Sequence, residues 1–275
     1  MADPRLEAAG VSVRFGDVPA LDRVDWRVEG PGIIGLIGLN GAGKTTLIRA
    51  VLGLQPVTAG VVRVPIGLGA VGYCPDTPGF EPWLSAREVL EQSMAIGPAR
   101  RTDRAAIDTA LAAVDLERHA HRRAGGFSRG MLQRLGIAAA LVRDPEVLIL
   151  DEPTSALDPE GRAAVLALIR RLGARMTVVF SSHLLADVED LADRLLVLHR
   201  GQAIFTGATA RFRAAGTAGP TLRVALTGGR IIEAGPARWG PVLAEVSAHS
   251  GEIDDIRIDR PTLTDAFFAA IGGKS

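Results

Sequence analysis

The chain has 275 residues, which is enough for one large domain or for a domain with a small appendage. Its 31 basic and 31 acidic residues balance, so no overall field draws the protein to nucleic acid or to an anionic membrane surface. The single cysteine, Cys74, excludes an internal disulfide and any metal site built from several cysteines.

The first half of the sequence predicts strands around one glycine-rich loop. The N-terminal stretch lacks the pattern of a signal peptide, and no apolar run reaches the roughly 18 residues of a membrane span. Residues 11–28 alternate apolar and polar side chains around a Gly-Asp pair, which predicts an antiparallel hairpin. Residues 32–38, GIIGLIG, predict a buried strand, and a helix is expected over 44–54. GVVRV and AVGYCP predict two more short strands.

The middle of the sequence alternates between helices and strands. A helical region is predicted over about 85–145, with breaks at Gly97-Pro98 and Gly125-Gly126. EVLILDEP predicts a second buried strand, and Asp158 is expected to cap a helix that has Pro159 at its first position and ends near Gly173. RMTVVFSS then predicts a strand, HLLADVEDLADR a helix, and LLVLHRGQAIFTG a hairpin.

These elements predict an α/β fold with a small appendage. Strands that alternate with helices favour a mostly parallel, helix-covered sheet, here accompanied by an antiparallel β-subdomain and a helical subdomain. After the linker-like GTAGP the sequence changes to short β-like segments and a last amphipathic helix, which predicts a small α+β domain. We place the boundary between a large N-terminal domain, 1–216, and a small accessory domain, 217–275.

The loop GLNGAGKTT has the spacing of the Walker A phosphate-binding loop, G-x-x-x-x-G-K-[ST]. Its glycines allow backbone amides to surround phosphates, Lys44 is expected to reach the β and γ oxygens, and Thr45 is expected to ligate Mg²⁺. The alternative is a glycine-rich turn that merely opens a helix. The predicted nucleotide-binding residues of the loop are Gly38, Asn40, Gly41, Ala42, Gly43, Lys44, Thr45 and Thr46.

Two further predicted strands end in polar residues. Asp151 and Glu152 follow an apolar run, and alone they are equally well explained as solvated acids at a strand end. With a phosphate-binding loop upstream, Asp151 is predicted to hold Mg²⁺ and Glu152 to polarise the water that attacks the γ-phosphate. His183 follows another buried strand, where open α/β sheets bind their ligands. The other histidines show no metal-ligand spacing.

A second candidate anion cradle lies at Gly125–Leu141, where glycines and a serine precede an amphipathic helix. Its FSRGM stands where ATP-binding cassette proteins carry a Leu-Ser-Gly-Gly-Gln signature, just upstream of QRLGIAAALVRDPEVLILDEPTSALDP. From Val11 to about Gly207, the chain resembles that family in six motifs and in their order. Arg129 and Met131 depart from the signature, which puts contacts to the opposite ribose in question.

The resemblance implies ATP and Mg²⁺ as ligands and a second copy of the chain as a partner. In the family two cassettes pack head to tail, so Ser128 and Gly130 would contact the γ-phosphate held by the other copy, and Asp158 would line the seam. Phe15 matches the aromatic residue that stacks on adenine. Asp76 is expected to take part in catalysis and in metal binding. It stands where most cassettes have Gln, and where one exporter branch often has Glu, and this departure puts its role in question.

GYCPDTPGFEPWLSAREVL, FSRGM and the closing RPTLTDAFFAAIGG resemble ATPase subunits of two-component ABC-2 exporters. The resemblance implies an integral membrane permease as partner and a peripheral position on the cytoplasmic face of the cell membrane. Leu263, Asp265 and Phe267 fit a Leu-x-Asp-x-Phe ending, whose simpler explanation is an amphipathic docking helix.

The sequence alone leaves three alternatives to an exporter ATPase. An importer ATPase would more often have Gln at position 76. A soluble cassette acting on ribosomes or DNA usually has two cassettes or basic arms, and a regulator without turnover would not need Glu152. We expect no nucleic-acid partner. Phe80 and Trp83, in a Pro- and Gly-rich segment, are predicted to contact the permease or, alternatively, to pack in the cassette's own core.

Overall fold

The computed structural model describes residues 3–96, 103–155, 157–215, 219–247 and 253–272. The chain divides into two compact units, Met1–Gly207 and Ala208–Ser275. The boundary predicted at 216 and 217 lies outside the described residues. None of the helices in the described ranges has the length and apolarity of a membrane span.

The first unit begins with a small antiparallel sheet. The predicted hairpin forms β1 (Leu6–Phe15) and β2 (Val18–Val28), and β4 (Ala59–Arg63) pairs with the other edge of β1. Its buried residues share one core with the helix α1 (Lys44–Val51), which follows the glycine-rich loop. α1 ends three residues earlier than predicted, because Gly53 has a left-handed φ of 70° and the amide of Leu54 turns back to the Arg49 carbonyl.

A six-stranded sheet forms the centre of the first unit. Its strands are β3 (Gly32–Ile37), β5 (Val71–Cys74), β6 (Val147–Leu150), β7 (Thr177–Ser182), β8 (Arg194–His199) and β9 (Gln202–Ala208). They lie in the order β5-β6-β7-β3-β8-β9, and the pairs β5-β6, β6-β7, β7-β3 and β3-β8 are parallel, as the sequence predicted. β6 and β7 are buried throughout, which is typical of parallel strands covered on both faces.

The predicted helical region contains α2 (Ala86–Ala95), α3 (Arg104–Ala113) and α4 (Arg129–Leu141). Gly125 and Gly126 lie in a short 3-10 turn before α4, so the second predicted break is confirmed. The break predicted at Gly97-Pro98 lies outside the described residues.

Two helices complete the first unit, α5 (Pro159–Gly173) and α6 (Leu185–Leu191). α5 has the predicted start, with the Asp158 side chain accepting a hydrogen bond from the Gly161 amide, and the predicted end. α6 is shorter than predicted. Its chain leaves the helix at Ala192, and the Asp193 carboxylate accepts a hydrogen bond from the Ile33 amide at the start of β3.

The second unit is α+β, as predicted, with α7 (Thr209–Ala215), β10 (Thr221–Leu226), β11 (Ile231–Ala234), α8 (Trp239–Ser247), β12 (Ile253–Asp259) and α9 (Leu263–Gly272). Its antiparallel sheet has the order β11-β10-β12. The sequence interpretation missed α8, because Gly240 and Pro241 suggest a turn. Proline is tolerated in the first turn of a helix, where its missing N–H has no partner to lose.

Candidate functional site

The topology brings four loops of the first unit to one edge of the sheet. β5, β6, β7 and β3 are parallel neighbours, so the residues that follow their carboxyl ends lie side by side. These loops carry Asp76, the pair Asp151 and Glu152, His183, and the glycine-rich loop. The sheet therefore assembles side chains that are more than a hundred residues apart in sequence.

The glycine-rich loop can adopt its path only with glycine at two positions. Gly43, the N-cap of α1, has a φ of 104°, and a Cβ there would lie 2.7 Å from the Ala20 carbonyl oxygen. A Cβ on Gly38 would lie 2.5 Å from the carbonyl oxygen of Leu198. The loop is thus held against neighbouring backbone while its other side borders a cavity.

That cavity has a volume of about 350 Å³. It is lined by Ala20, Asn40, Gly41, Ala42, Gly43, Lys44, Thr45, Thr46, Asp76, Glu152, Ser155 and His183. All but Ala20 and Ser155 were predicted from the sequence, so the predicted loop and three of the predicted polar residues meet in one place. An open, polar cavity at a helix N-terminus suits a phosphorylated ligand.

Glu152 lies at the centre of the polar contacts in this cavity. One carboxylate oxygen is 3.1 Å from the Lys44 ammonium, and the other is 2.8 Å from Nδ1 of His183. Lys44 also donates to the carbonyl oxygen of Gly38 at 2.8 Å. The backbone of Glu152 has a left-handed φ of 45°, a conformation that costs free energy in a residue with a side chain and that is concentrated at functional sites.

Asp151 lies beneath the cavity and does not line it. Its side chain is only 2% exposed and accepts a hydrogen bond of 2.6 Å from the Ser181 hydroxyl. The same hydroxyl accepts a hydrogen bond of 2.7 Å from the Glu152 amide, so Ser181 fixes both acidic residues. Burial, together with the negative charges of Asp151 and Asp76, raises the pKa of Cys74 to about 12, which keeps this thiol neutral.

Asp76 is joined to the loop that follows Glu152. Its carboxylate accepts a hydrogen bond of 2.6 Å from the hydroxyl of Ser155. Asp76, Glu152 and Ser155 also line a second cavity of about 200 Å³, which reaches Arg129 and Gln133 on α4. Residues that line the first cavity therefore also border a second cavity, which reaches the helix whose first turn lies in the FSRGM segment.

Six of the predicted site residues do not line the first cavity. They are Phe15, Gly38, Ser128, Gly130, Asp151 and Asp158. Phe15 is 54% exposed at the turn between β1 and β2. Ser128 caps α4 by accepting a hydrogen bond of 3.2 Å from the Met131 amide, just as Asp158 caps α5. The roles assigned to these residues remain predictions.

The sequence interpretation missed several polar residues that organise the site. Besides Ser155 and Ser181, it missed a buried cluster in which the Asp187 carboxylate accepts hydrogen bonds of 2.8 Å from Thr154 and from Nε of Arg162. This cluster ties the loop after β6 to α5 and α6. One sequence signal existed for Ser181, since a polar residue at the end of a fully buried strand needs a hydrogen-bond partner.

The side chains present fit a magnesium nucleotide. Mg²⁺ prefers oxygen ligands and is commonly held by one or two protein side chains together with phosphate oxygens and water. The cavity offers Thr45 and Asp76, with Asp151 below them. Among the described residues, no group of three or more His, Cys, Asp or Glu side chains is arranged to hold a metal ion.

Comparison with known proteins finds relatives among the ATP-binding proteins of ABC transporters. Residues 21–155 match the family model described as ABC transporter. The chain is 37% identical to the bacitracin transport ATP-binding protein BcrA of Bacillus licheniformis, over 72% of this chain and 68% of BcrA. It is 34% identical to the daunorubicin resistance ATP-binding protein DrrA3 of Streptomyces coeruleorubidus, over 99% of this chain and 97% of DrrA3.

A solved structure of an ATP-binding subunit of an ABC transporter is similar in fold, with a TM-score of 0.67 and 28% identity over 76% of this chain and 92% of that one. Among the curated relatives compared, the aligned share of the relative's own length runs from 58% to 97%. The α/β fold predicted from the sequence is confirmed by this likeness and by the sheet topology.

Proposed function

Because the chain belongs to the family of ABC transporter ATP-binding proteins, we propose that it hydrolyses ATP to drive export through a separate membrane permease. The reaction is ATP + H₂O → ADP + phosphate. The observation that carries this proposal is the placement of the Glu152 carboxylate, between the Lys44 ammonium and His183, at a cavity lined by the glycine-rich loop.

The glycine-rich loop binds the phosphates of ATP. Its backbone amides and the N-terminus of α1 favour negative charge, and Lys44 changes its partner from Glu152 to the β and γ oxygens. Phe15 stacks on the adenine, for which its exposed ring is available. Thr45, Asp76 and Asp151 would hold Mg²⁺ directly or through water, and the bound ion would supply positive charge against the charge that develops on the phosphates.

Glu152 orients and polarises the attacking water. Release of Lys44 to the nucleotide leaves a carboxylate oxygen free to accept a hydrogen bond from that water. His183 holds the other oxygen of the carboxylate, and Ser181 fixes the backbone of Glu152 through its amide. The strained φ of Glu152 is thus compensated by contacts from the neighbouring strand and its loop.

The second anion cradle serves ATP that is bound by a second copy of the chain. Ser128 and Gly130 at the start of α4 contact the γ-phosphate held by the partner, and Asp158 lines the seam. In support, the starts of α4 and α5 lie close together, since a Cβ on Gly130 would be 3.8 Å from the Cα of Gly161. The N-terminus of α1 in one chain and the N-terminus of α4 in the other then flank the same nucleotide, which makes ATP part of the dimer interface. Hydrolysis of this ATP therefore loosens the dimer.

The membrane partner is an integral permease of the ABC-2 type, and the chain acts peripherally at the cytoplasmic face of the cell membrane. The names of the relatives support export: one is a bacitracin transport protein, one a daunorubicin resistance protein, and others are Nod factor export ATP-binding proteins. We place the nucleotide-binding domain at residues 1–216, with its helical subdomain over about 85–145, and the accessory domain at 217–275; this boundary comes after α7, which belongs to the second compact unit. The permease supplies the substrate path.

Substitution of Glu152 tests this function. Glu152→Gln is expected to retain ATP binding while hydrolysis falls by about 10²- to 10⁴-fold, the loss typical of a missing general base. With Mg-ATP the variant should accumulate as a dimer in size-exclusion chromatography. The double variant Glu152→Gln, Ser128→Arg should bind ATP but remain monomeric under the same conditions, because the second cradle is blocked. Phosphate release at the wild-type rate from Glu152→Gln would refute the assignment.

A further inference from the structure

The strand β12 in the second unit carries exposed apolar side chains on a sheet edge. In the described part of the chain its only neighbouring strand is β10. Ile256 and Ile258 are 47% and 50% exposed, although the register places them opposite the buried residues Val224 and Leu222. Val242 and Val246 of α8 pack in one core with Leu222 and Val224. The apolar face of the sheet is therefore covered over β10 and β11, whereas its part on β12 is exposed.

On the other face of β12, two arginines of neighbouring strands lie next to each other. Arg257 lies directly opposite Arg223 of β10, and like charges in that position are destabilising. Arg223 is offset by Glu233 at 3.6 Å on the next strand, β11. Arg257 is 3.2 Å from Asp259 on its own strand, and an acid on the open side of β12 would give Arg257 a cross-strand partner, as Glu233 is for Arg223.

We propose that β12 pairs antiparallel with β12 of a second copy of this chain, centred on Ile256. Ile256 is the middle residue of the seven-residue strand, so this register pairs the whole strand. Asp255 then lies opposite the partner's Arg257, and Arg257 opposite the partner's Asp255. On the other face Ile256 meets the partner's Ile256, which continues an apolar row that begins at Ile232 and Val224.

Other registers fit less well. Centring the pair on Asp255 or on Arg257 sets that charged residue against its own copy and leaves the strand ends unpaired. Centring on Ile258 keeps an Arg257–Asp259 pair but leaves the N-terminal part of β12 without a partner. Directly opposite residues of antiparallel strands share a face, so registers between these would set the apolar face of one strand against the charged face of the other. The register centred on Ile256 keeps the two faces apart, although it sets Ile258 opposite the partner's Asp254.

The paired sheets would join the accessory units of two chains into one six-stranded sheet. An exposed edge strand is a template for such pairing. The contact contains no nucleotide, so it does not rest on the proposed function and differs from an ATP-dependent dimer. Even a weak strand contact becomes effective when the two chains are already held close together by another contact.

A cysteine at the centre of the register tests the pairing directly. In the full-length, nucleotide-free protein, Ile256→Cys places two thiols opposite each other and should form a disulfide-linked dimer under mild oxidation. The matched control, Ile258→Cys, has similar exposure, but its two thiols would lie about 13 Å apart along the strands and should not cross-link. The native Cys74 is buried and does not interfere.

Charge reversal tests the register independently. In the Ile256→Cys background, Asp255→Arg and Arg257→Asp each create two like-charge pairs and should reduce dimer formation about tenfold. The double variant restores opposite charges and should restore the cross-link. Circular dichroism and thermal unfolding verify that each variant is folded. The proposal is overturned if folded Ile256→Cys stays monomeric, if Ile258→Cys cross-links equally well, or if the double reversal restores nothing.

Discussion

At the scale of single residues, the contacts of Ser181 decide how the acidic pair is presented to the cavity. Its hydroxyl donates to the buried carboxylate of Asp151 and accepts from the amide of Glu152. A serine can do both because a hydroxyl is donor and acceptor at once. Ser181 therefore couples the residue predicted to hold Mg²⁺ to the residue predicted to polarise water.

Ser181→Ala should lower the free energy of unfolding by about 1–3 kcal/mol, because it leaves a buried carboxylate oxygen and an amide without their partner. We also expect weaker apparent binding of Mg²⁺, measured as a higher magnesium concentration at the half-maximal ATPase rate. The control is Ser182→Ala, whose hydroxyl instead accepts a hydrogen bond from the Leu184 amide. If both variants showed the same magnesium dependence as wild type, Ser181 would have no role in the site beyond stability.

The sequence predicted those site residues whose position follows from local chain geometry. A glycine-rich loop between a strand and a helix defines its own cradle, so Lys44 and Thr45 could be assigned without knowledge of the tertiary structure. Ser181 and Ser155 could not, because their partners Asp151 and Asp76 lie on other strands or loops and meet them only through the order of strands in the sheet. Local patterns do not encode strand order.

At the scale of elements, each unit contains a helix that begins with a reciprocal capping box. Ser85 accepts a hydrogen bond from the Glu88 amide, and the Glu88 carboxylate accepts hydrogen bonds from the amide and hydroxyl of Ser85. Thr262 and Asp265 make the same contacts at the start of α9. The Leu-x-Asp-x-Phe ending thus has a structural explanation: Asp265 caps the helix, while Leu263 and Phe267 are buried.

The capping box of α2 predicts an acid-dependent stability. Hydrogen bonds from the Ser85 side chain and then its backbone lower the pKa of Glu88 below its ordinary value of 4.5. A carboxylate with a lowered folded-state pKa stabilises the protein above the unfolded pKa, and this stabilisation is lost as pH falls through the folded pKa. Glu88→Gln should therefore have a lower melting temperature than wild type at pH 7, and the difference should narrow below pH 4.5.

Glu88→Gln removes the charge and keeps the hydrogen bonds, because glutamine can still accept both of them. Melting temperatures of both proteins measured across this range isolate the charged contribution. A difference that stayed constant down to the lowest pH at which wild type is folded would show that the charge of Glu88 contributes nothing.

The sequence predicted α5 well because residues typical of helix ends mark both of its ends, whereas it missed α7 and α8. Asp158, Pro159 and Gly173 marked both ends of α5 correctly. α8 contains Gly240 and Pro241 in its first turn, so local propensity argued against a helix that tertiary packing stabilises through Val242 and Val246. Packing against β10 and β11 outweighed propensity there.

At the scale of the whole molecule, the segment after β5 connects the nucleotide cavity to the helical region. Asp76 at its start lines the cavity, and Ser85 at its end caps α2. Within it, Trp83 is 63% exposed, so its ring does not pack in the core of the cassette. Phe80 is only partly exposed. An exposed tryptophan on a Pro-rich segment is a common anchor of protein interfaces.

Trp83→Ala tests whether this segment contacts the permease. We expect the isolated chain to keep its melting temperature and its affinity for ATP, because the ring buries little surface within the unit. Association with the membrane protein that wild type retains in detergent should weaken by about 2 kcal/mol if the ring is an interface hot spot. Leu54→Ala is the matched control, since Leu54 is also 63% exposed but follows α1 and is not part of the segment. If Trp83→Ala retained as much of the membrane protein as Leu54→Ala, the permease contact would lie elsewhere. A large fall in the melting temperature of Trp83→Ala would mean that the ring stabilises the cassette itself.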